Sequence, residues 1–339
     1  MKKRILTGDR PTGRLHIGHL VGTLQNRVRL QDEYECFFII ADLQVLTDHI
    51  DRRGNIEANV FEVMCDYLGV GLKPKNCFFI QSQVPELTEL TMYFSFLVSL
   101  ARAQRNPTVK SEAEMYGVSQ MSLGFVSYPV SQAADILAFK ADLVPVGQDQ
   151  LPHIEQAREV ARSFNSTFGK DVFNPPEALV GQVPVLSGTN GDQKMSKSLD
   201  NQVDLAHTEE ETSLRIGKMV TDVQRVYRKD PGHPDSCHAF KYWSIFASEA
   251  VPQVRIECEG ATRGCKECKA QLAEKLNTSL REIRDRRAHY AAKPDLVWRI
   301  LATGTRRARE VARQTLEEVR KAMNLSYPRL NEISGDGAW

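Results

Sequence analysis

Long apolar runs are missing from this sequence. The longest uninterrupted one extends from Cys36 to Ala41, far short of the ~20 residues that a helix needs to cross a bilayer. The basic residues 2–4 lead directly into a short strand-like stretch, with no long apolar region behind it. We therefore predict neither a signal peptide nor a membrane segment, and we expect a cytoplasmic protein.

Cysteine is also scarce, with seven residues in a chain of 339. Thiols stay reduced in the cytoplasm, which argues against a disulfide framework. Cys36, Cys65 and Cys77 lie in apolar stretches and are predicted to be small core residues. The other four cysteines are clustered in the second half of the chain and require a separate explanation.

An excess of charge is absent from the chain as a whole but not from its C-terminal part. The formal net charge is +1, whereas residues 269–339 contain fifteen Lys and Arg against nine Asp and Glu. A basic segment of this kind suits a partner that carries phosphate groups. Solvated helix faces explain the charges equally well, because Arg and Glu alternate along the segment.

The first half of the chain alternates strand-like and helical segments. Four short runs of β-branched or aromatic residues predict strands at 5–7, 36–41, 77–80 and 143–146. Helical periodicity predicts helices at 18–30, 55–68, 86–100, 131–139 and 149–163. This alternation predicts an α/β fold, a doubly wound, Rossmann-like parallel sheet that binds ligands where its strands end.

A chain of 339 residues exceeds the usual size of a single core, so we expect two domains. The stretch 174–203 is rich in Gly and Pro, which predicts loops and a domain boundary. We predict a catalytic domain at 1–203 with a flexible loop at 187–203, an all-helical domain at 204–325, and a loosely held tail at 326–339. An apolar stripe within 308–323 predicts helix–helix packing.

The segment Gly8–His19, GDRPTGRLHIGH, connects the first strand to the first helix. Its glycines let a ligand approach the backbone, and the helix start offers free amides and a positive dipole end. His16 and His19 are three residues apart and can point at the same phosphates. Gly18 leaves room for an adenine ring. Taken alone, the pattern is equally compatible with two surface imidazoles.

A second motif, Lys194–Ser198 with the sequence KMSKS, lies in the flexible loop region. Two lysines three residues apart suit a clamp on the β- and γ-phosphates of ATP, a task of charge stabilisation and positioning. In this order, the two motifs resemble the paired nucleotide-binding motifs of class I aminoacyl-tRNA synthetases. The resemblance implies that a carboxylate attacks the α-phosphate of ATP and that the acyl group then passes to tRNA.

From residue 5 to about residue 325 the chain resembles the bacterial-type tryptophanyl-tRNA synthetases. Four segments carry the resemblance: Gly8–Gly13, Gln104–Lys110, Tyr128–Ile136 and Val144–Gln150. It implies activation of L-tryptophan with ATP, transfer to tRNA(Trp), and a helical anticodon-binding domain. It also implies a homodimer whose two subunits share the tRNA, and Mg²⁺ that travels on the ATP phosphates rather than in a protein cage.

The resemblance further implies roles at the amino-acid site. Asp135 corresponds to the acceptor of the indole N–H, and such a carboxylate rejects phenylalanine because its lone pair would be left unpaired. Taken singly, an Asp on an apolar helix is more often structural. Tyr128 and Gln150 correspond to residues that hold the α-amino group, and Val144 and Val146 correspond to walls of the indole pocket.

The remaining predicted substrate contacts are Leu6, Gly8, Gln44 and Gln132. Many family members carry His at position 44 and Met at position 132, so this pocket is more polar than the common one. Gln44 is equally compatible with a capped strand end. A tyrosyl-tRNA synthetase, which shares the fold, is the alternative function. Two other hypotheses are an adenylate-forming nucleotidyltransferase that does not use tRNA and a non-catalytic paralogue that binds tryptophan.

The ATP site implied by the resemblance draws on both motifs and on the end of the fourth strand. Its members are Arg10, Gly18, Gly147, Asp149, Lys194, Ser196 and Lys197. The predicted catalytic residues are His16, His19, Lys194 and Lys197. Many family members carry Gln at position 10, and Lys110 resembles an ATP-contacting loop lysine. No general base is predicted, because the attacking carboxylate is already ionised and acceleration comes from positioning.

Four cysteines, Cys237, Cys258, Cys265 and Cys268, follow the spacing C-x20-C-x6-C-x2-C. Their last pair lies in a polar, Lys-rich stretch, which is a poor core and favours a metal site. The spacing is compatible with tetrahedral zinc and with a four-iron cluster. A subset of tryptophanyl enzymes has Asp-Pro-Gly before the first cysteine, as in residues 230–232. That resemblance implies a structural [4Fe–4S] cluster, with Zn²⁺ as the alternative, near the anticodon-binding surface.

Overall fold

A computed structural model describes residues 2–47, 55–116, 122–180, 186–191 and 195–329. In this part of the chain five parallel strands form one sheet in the order β3-β2-β1-β4-β5. The strands are β1 (Arg4–Asp9), β2 (Glu35–Ile40), β3 (Cys77–Ile80), β4 (Leu143–Val146) and β5 (Glu177–Val180). The doubly wound parallel sheet predicted from the sequence is confirmed.

The order of the strands reverses on either side of β1. β1 pairs with β2 in the register Leu6 to Phe37, and with β4 on its other edge. Thr7 Oγ1 donates a hydrogen bond to the carbonyl of Pro145 at 3.2 Å, which ties the two central strands together. The loops after β1 and β4 therefore diverge to opposite faces and open a crevice at the carboxyl edge of the sheet, where such folds bind ligands.

β5 lies in the stretch that the sequence predicted to be loop, and the loop prediction is wrong for residues 177–180. The strand pairs with β4 from Glu177 opposite Leu143 to Val180 opposite Val146. It is short, only half-buried and preceded by two prolines, so it lacks the apolar run that identifies a central strand. Its conformation depends on pairing with β4, which is distant in sequence.

The helices of the first half cover both faces of the sheet. They are α1 (Ile17–His19), α2 (Gln25–Leu30), α3 (Ile56–Gly69), α4 (Glu86–Ser95), α5 (Leu100–Gln104), α6 (Pro107–Tyr116), α7 (Leu123–Ala138) and α8 (Leu151–Phe168). A π-helical turn at residues 20–24 joins α1 to α2. α7 begins earlier than predicted because Ser122 Oγ caps it, accepting a hydrogen bond from the Phe125 amide at 3.1 Å.

The second half contributes α9 (Glu209–Gly217), α10 (His238–Phe246), α11 (Val251–Glu259), α12 (Cys265–Ala291) and α13 (Pro294–Ala322). The apolar stripe of α13 joins the same core as the sheet residue Phe79. Gly304 lies so close to the backbone of Phe78 that any side chain would collide with it. The stripe therefore packs against the edge strand β3 as well as against helices. None of the described helices is long and apolar enough to span a membrane.

α12 is bound to α3 by a buried ion pair that also reaches the loop before α1. Asp66 is completely buried; its Oδ1 accepts from Arg287 Nε at 2.7 Å and its Oδ2 from the Leu15 amide at 2.7 Å. Arg287 also pairs with Glu62. Burial raises the pKa of Asp66 to about 6, although Arg287 and the amide act in the opposite direction.

Replacing Arg287 by methionine is expected to lower the free energy of unfolding by about 3 kcal/mol at neutral pH, because it leaves an ionised carboxylate buried without its partner. Without Arg287 the folded-state pKa of Asp66 should rise further. The loss of stability should therefore shrink as the pH falls, because the Asp66 carboxyl is then protonated in both the folded and the unfolded protein. Urea unfolding at several pH values measures this.

The matched control is Arg313→Met on α13, because Arg313 pairs with Glu310 and Glu317 at the exposed surface. Its loss should stay below about 1 kcal/mol. Equal losses in both variants, or a loss at Arg287 that does not depend on pH, would contradict a buried ion pair at Asp66.

Candidate active site

The two chain segments that carry the nucleotide motifs meet at the carboxyl end of β1. Gly13 has a φ of +124°, a conformation that L side chains rarely adopt. A Cβ built on it would lie 3.3 Å from Lys197 Nζ, and a Cβ on Gly18 would lie 3.5 Å from Met195 Sδ. The Ile17 amide donates to the Val203 carbonyl at 2.9 Å, so backbone pairing also joins the segments.

The two histidines share one helix start. His16 immediately precedes α1 and His19 ends it, with their ring centroids 3.8 Å apart. His19 Nδ1 accepts a hydrogen bond from the His16 amide at 3.2 Å. His16 is buried, whereas His19 and Gly18 are half-buried. The amides of His16, Ile17 and His19 donate within the protein. The pair therefore offers a phosphate its imidazole rings and the positive end of the helix dipole, and not the free amides expected from the sequence.

Lys197 is the described lysine of the second motif, while Lys194 lies outside the described residues. Burial lowers the pKa of Lys197, and the carboxylates of Asp204, Asp66 and Asp9 oppose that shift. The Ser196 amide donates to Asn201 Oδ1 at 2.7 Å, which fixes the backbone just before Lys197. The geometry thus holds an ammonium group over the glycine turn.

A buried network under the glycine turn was not anticipated from the sequence. Asp9 Oδ2 accepts hydrogen bonds from Arg27 Nη1 at 2.6 Å and from Tyr67 Oη at 2.8 Å, and Arg27 also donates to the Gly8 carbonyl at 3.2 Å. Burial raises the pKa of Asp9, but Arg27 and His19 outweigh burial and bring it to about 2. The network fixes the end of β1 beneath the motif.

Asp135 lies on α7 and is 4% exposed. Its carboxylate accepts hydrogen bonds from a side-chain amide in the turn after β3. Gln81 Nε2 lies 3.0 Å from Asp135 Oδ1 and 2.8 Å from Oδ2. Burial raises the pKa of Asp135 to about 7, while Gln81 lowers it and Asp42 raises it. A carboxyl group in this environment is a strong acceptor once it is ionised.

Tyr128, on the same helix as Asp135, contacts a buried histidine. Tyr128 Oη lies 3.4 Å from His153 Nε2, and His153 Nδ1 lies 3.4 Å from Asn106 Nδ2. Burial lowers the pKa of His153 to about 4, so its imidazole is neutral at physiological pH. Sequence reasoning missed His153 and Gln81, although Gln81 directly follows a predicted strand and His153 stands three residues after Gln150.

The other predicted amino-acid contacts lie on or beside the same strands. Gln44, buried after β2, donates through Nε2 to Ser131 Oγ at 3.2 Å on α7. The neighbouring Gln132 is half-buried. Leu6 and Val144 are buried in β1 and β4, and Val146 is half-buried where β4 ends. A side chain at Gly8 would collide with the carbonyl of Ile39.

The predicted adenosine contacts form the turn that follows β4. Asp149 is exposed, its Oδ2 accepts from Gln150 Nε2 at 3.3 Å, and a Cβ on Gly147 would lie 2.7 Å from its Oδ1. Thr108 Oγ1 donates to the Asp149 carbonyl at 3.1 Å, which links this turn to α6. The half-buried Arg10 lies in the turn after β1, while Lys110 is exposed on α6.

A family model described as tRNA synthetases class I (W and Y) matches residues 1–281. The chain belongs to this family. It is 45% identical over 334 residues to a tryptophan–tRNA ligase of Clostridium longisporum, an alignment covering 96% of this chain and 98% of that protein. It is also 45% identical over 341 residues to a tryptophan–tRNA ligase of Lactococcus lactis, covering 96% and 99%.

Solved structures agree with the fold of the synthetase. The tryptophanyl-tRNA synthetase of Campylobacter jejuni, complexed with ADP and tryptophan, superposes with a TM-score of 0.84 at 32% identity, covering 95% of this chain and 100% of that one. A tyrosyl-tRNA synthetase of Archaeoglobus fulgidus, complexed with L-tyrosine, gives a TM-score of 0.65 at 20% identity, covering 84% and 90%. The second likeness concerns the fold alone.

The four clustered cysteines of the synthetase lie where α10, α11 and α12 meet. Cys237 precedes α10, Cys258 lies near the end of α11, and Cys265 and Cys268 occupy the first turn of α12. A side chain at Gly232 would collide with Cys258 Sγ, so the Asp-Pro-Gly segment packs directly against this thiol.

Neighbouring donors and cations surround these thiols. Trp243 Nε1 donates to Cys268 Sγ at 3.2 Å. Burial raises the pKa of Cys258, and Arg225 opposes that shift. Cys237 and Cys265 also raise that pKa, so the sulfur atoms lie within electrostatic reach of one another. Within the described ranges, however, no group of three or more His, Cys, Asp or Glu is arranged to hold a metal ion.

Proposed function

We propose that the synthetase is a tryptophan–tRNA ligase, which activates L-tryptophan with ATP and transfers it to tRNA(Trp). The observation that carries the proposal is that the Lys197 ammonium over the Gly13 turn and the buried carboxylate of Asp135 occupy the same carboxyl edge of one sheet. The names of the two relatives that are 45% identical over nearly their full lengths support it.

In the proposed mechanism the triphosphate of ATP binds at the start of α1. His16 and His19 contact its phosphates at the positive end of the helix dipole. Lys197 and Lys194 stabilise the charge that develops on the departing pyrophosphate. The ATP contacts are completed by Arg10, Gly18, Gly147, Asp149 and Ser196. Mg²⁺ remains bound to the phosphates, and no protein group acts as general base.

The amino acid would bind between β1, β4 and α7. Asp135 accepts the indole N–H, and Tyr128 and Gln150 hold the α-amino group. The walls of the indole pocket are formed by apolar residues, a glycine and two glutamines: Leu6, Gly8, Gln44, Gln132, Val144 and Val146. His153, neutral and in contact with Tyr128, keeps that phenol in place. The tryptophan carboxylate is then oriented for attack on the α-phosphate.

Amino-acid-dependent exchange of pyrophosphate into ATP tests the first half-reaction, with tryptophan and tyrosine compared side by side. We expect exchange with tryptophan and not with tyrosine, followed by aminoacylation of tRNA(Trp). Preference for tyrosine would identify a tyrosyl enzyme. Tryptophan binding without exchange would identify a non-catalytic paralogue, and exchange without aminoacylation would identify an adenylate-forming enzyme independent of tRNA.

The rest of the assembly is proposed from the resemblance and the charge distribution. Residues 1–203 form the catalytic domain and residues 204–325 bind the anticodon, and the excess of Lys and Arg after residue 269 suits a partner that carries phosphate groups. The enzyme acts in the cytoplasm as a homodimer whose subunits share the tRNA. Size-exclusion chromatography with light scattering tests the dimer.

We further propose that Cys237, Cys258, Cys265 and Cys268 ligate a [4Fe–4S] cluster, with Zn²⁺ as the alternative. The donor set fits, because four thiols interact electrostatically and the Trp243 N–H and arginine side chains offset thiolate charge. Such a group would supply structural bonds that join three helices. The thiol side chains must reorient to bind it, because they are not arranged as ligands in the structure.

Metal analysis of anaerobically purified protein tests this site. We expect about four iron and four sulfide per chain with a broad visible absorbance. Cys265→Ser should abolish the iron, whereas Cys65→Ser, at a core cysteine of α3, should leave it intact. One zinc per chain without iron would identify a Zn²⁺ site instead of the cluster. Absence of both metals would contradict a metal site.

A further inference from the structure

The turn after β3 places one buried amide directly against the carboxylate of Asp135. Gln81 is 1% exposed and follows Ile80, the last residue of β3. Its Nε2 lies 3.0 Å and 2.8 Å from the two carboxylate oxygens. One nitrogen therefore contacts both oxygens, which fixes the position of the carboxylate relative to the sheet.

The other end of the same amide is unsatisfied. Gln81 Oε1 is buried and has no hydrogen-bond partner among the residues that the structure describes. Leaving such an atom unpaired costs the free energy of removing it from water, and buried unsatisfied atoms are uncommon in folded proteins. A residue that served packing alone would be better replaced by an apolar side chain. The arrangement therefore favours a role in the site.

We propose that Gln81 is a positioning residue for indole recognition: its side-chain amide orients Asp135 so that the carboxylate accepts the indole N–H. The inference rests on the proposed activation of tryptophan. Each carboxylate oxygen has two lone pairs, so the contact with Gln81 leaves acceptor capacity for the substrate. Gln81 acts through Asp135 and need not touch the reacting atoms.

Electrostatics at Asp135 agree with this role. Burial raises its pKa to about 7, and Asp42, located after β2, raises it as well. Gln81 is the group that acts in the opposite direction, because its N–H donation stabilises the ionised form. From α8, His153 faces Tyr128 and is neutral at pH 7. Without Gln81, Asp135 would keep its proton to higher pH and would be a weaker acceptor.

The ionisation of Asp135 makes tryptophan affinity depend on pH. The carboxyl is protonated below its pKa and ionised above it, and the indole N–H binds the ionised form more tightly. Tryptophan affinity of the wild-type enzyme should therefore increase as the pH rises through about 7. Equilibrium dialysis of labelled tryptophan without ATP measures amino-acid binding separately from the nucleotide site, to which His16 and His19 are assigned.

The decisive variant is Gln81→Met, which preserves length and removes the donor. We expect its tryptophan affinity to fall about tenfold to a hundredfold at neutral pH, as for loss of a hydrogen bond to a charged group. The midpoint of its pH dependence should move upward. The exchange rate at saturating tryptophan should change by less than about threefold, because the loss lies in ground-state binding.

Gln81→Glu provides a second, independent readout. Over an intermediate range of pH two adjacent carboxyl groups share one proton, so the protonated partner can donate to Asp135 in place of the amide. The affinity of this variant should pass through a maximum in that range and should fall at higher pH, where both carboxyl groups are ionised and repel each other. A residue with a purely structural role would not convert the rising pH dependence of the wild type into a maximum.

Gln31→Met is the matched control. Gln31 is also buried and donates through Nε2 to the carbonyls of Val28 and Gly71, but it precedes β2 at the opposite edge of the sheet. Its tryptophan affinity should equal that of wild type. The inference is overturned if Gln81→Met keeps wild-type affinity and pH midpoint, or if Gln31→Met loses affinity equally. Absence of tryptophan binding by the wild type would refute the proposed function instead.

Discussion

Lys197→Ala should slow formation of tryptophanyl-adenylate by about a hundredfold to a thousandfold, the usual effect of removing one group that stabilises developing charge. Lys197 Nζ lies against the Gly13 turn, where the pyrophosphate would depart. Burial lowers the pKa of Lys197, and bound phosphates would favour its charged form. Single-turnover measurement of adenylate formation gives the rate, and dialysis gives tryptophan affinity, which should remain unchanged.

Lys218→Ala provides the control, because Lys218 is an exposed lysine just after α9. It should leave the rate of adenylate formation unchanged. Loss of tryptophan affinity in Lys197→Ala, with an unaltered rate at saturation, would assign the loop to amino-acid binding instead of pyrophosphate release.

Asp135→Ala should weaken tryptophan binding and erode discrimination against phenylalanine. A site built to accept a substrate N–H rejects an analogue without it by about 10⁴-fold to 10⁵-fold, because a buried acceptor is left unpaired. Removing Asp135 removes that penalty. The ratio of kcat/KM for tryptophan and phenylalanine in pyrophosphate exchange measures the effect, and the KM for ATP should not change.

Asp135→Ala also leaves the amide of Gln81 without its acceptor, which lowers stability by about 1–3 kcal/mol. Asp135→Asn therefore serves as a companion variant, since it keeps the volume and one acceptor oxygen. We expect intermediate discrimination from it. Full discrimination in both variants would mean that Asp135 is structural.

Much of the site could be predicted because its residues follow strands or open helices. Four of the five strands were identified from local apolar runs, and parallel strands bring their carboxyl ends to one edge. The meeting of Gly13 with Lys197 follows from that topology together with the pairing of Ile17 and Val203. Gln81 and His153 were missed, because a buried amide or imidazole has no sequence pattern of its own.

Local pattern alone determined the nucleotide motifs, the parallel sheet and the helical second half, since periodicity and glycine placement act over a few residues. Tertiary structure decided the fifth strand, the ion pair between Asp66 and Arg287, and the contact of Gln81 with Asp135. Each of these joins residues distant in sequence. Their energies arise from burial and from pairing of polar groups away from water, which exist only once the chain has folded.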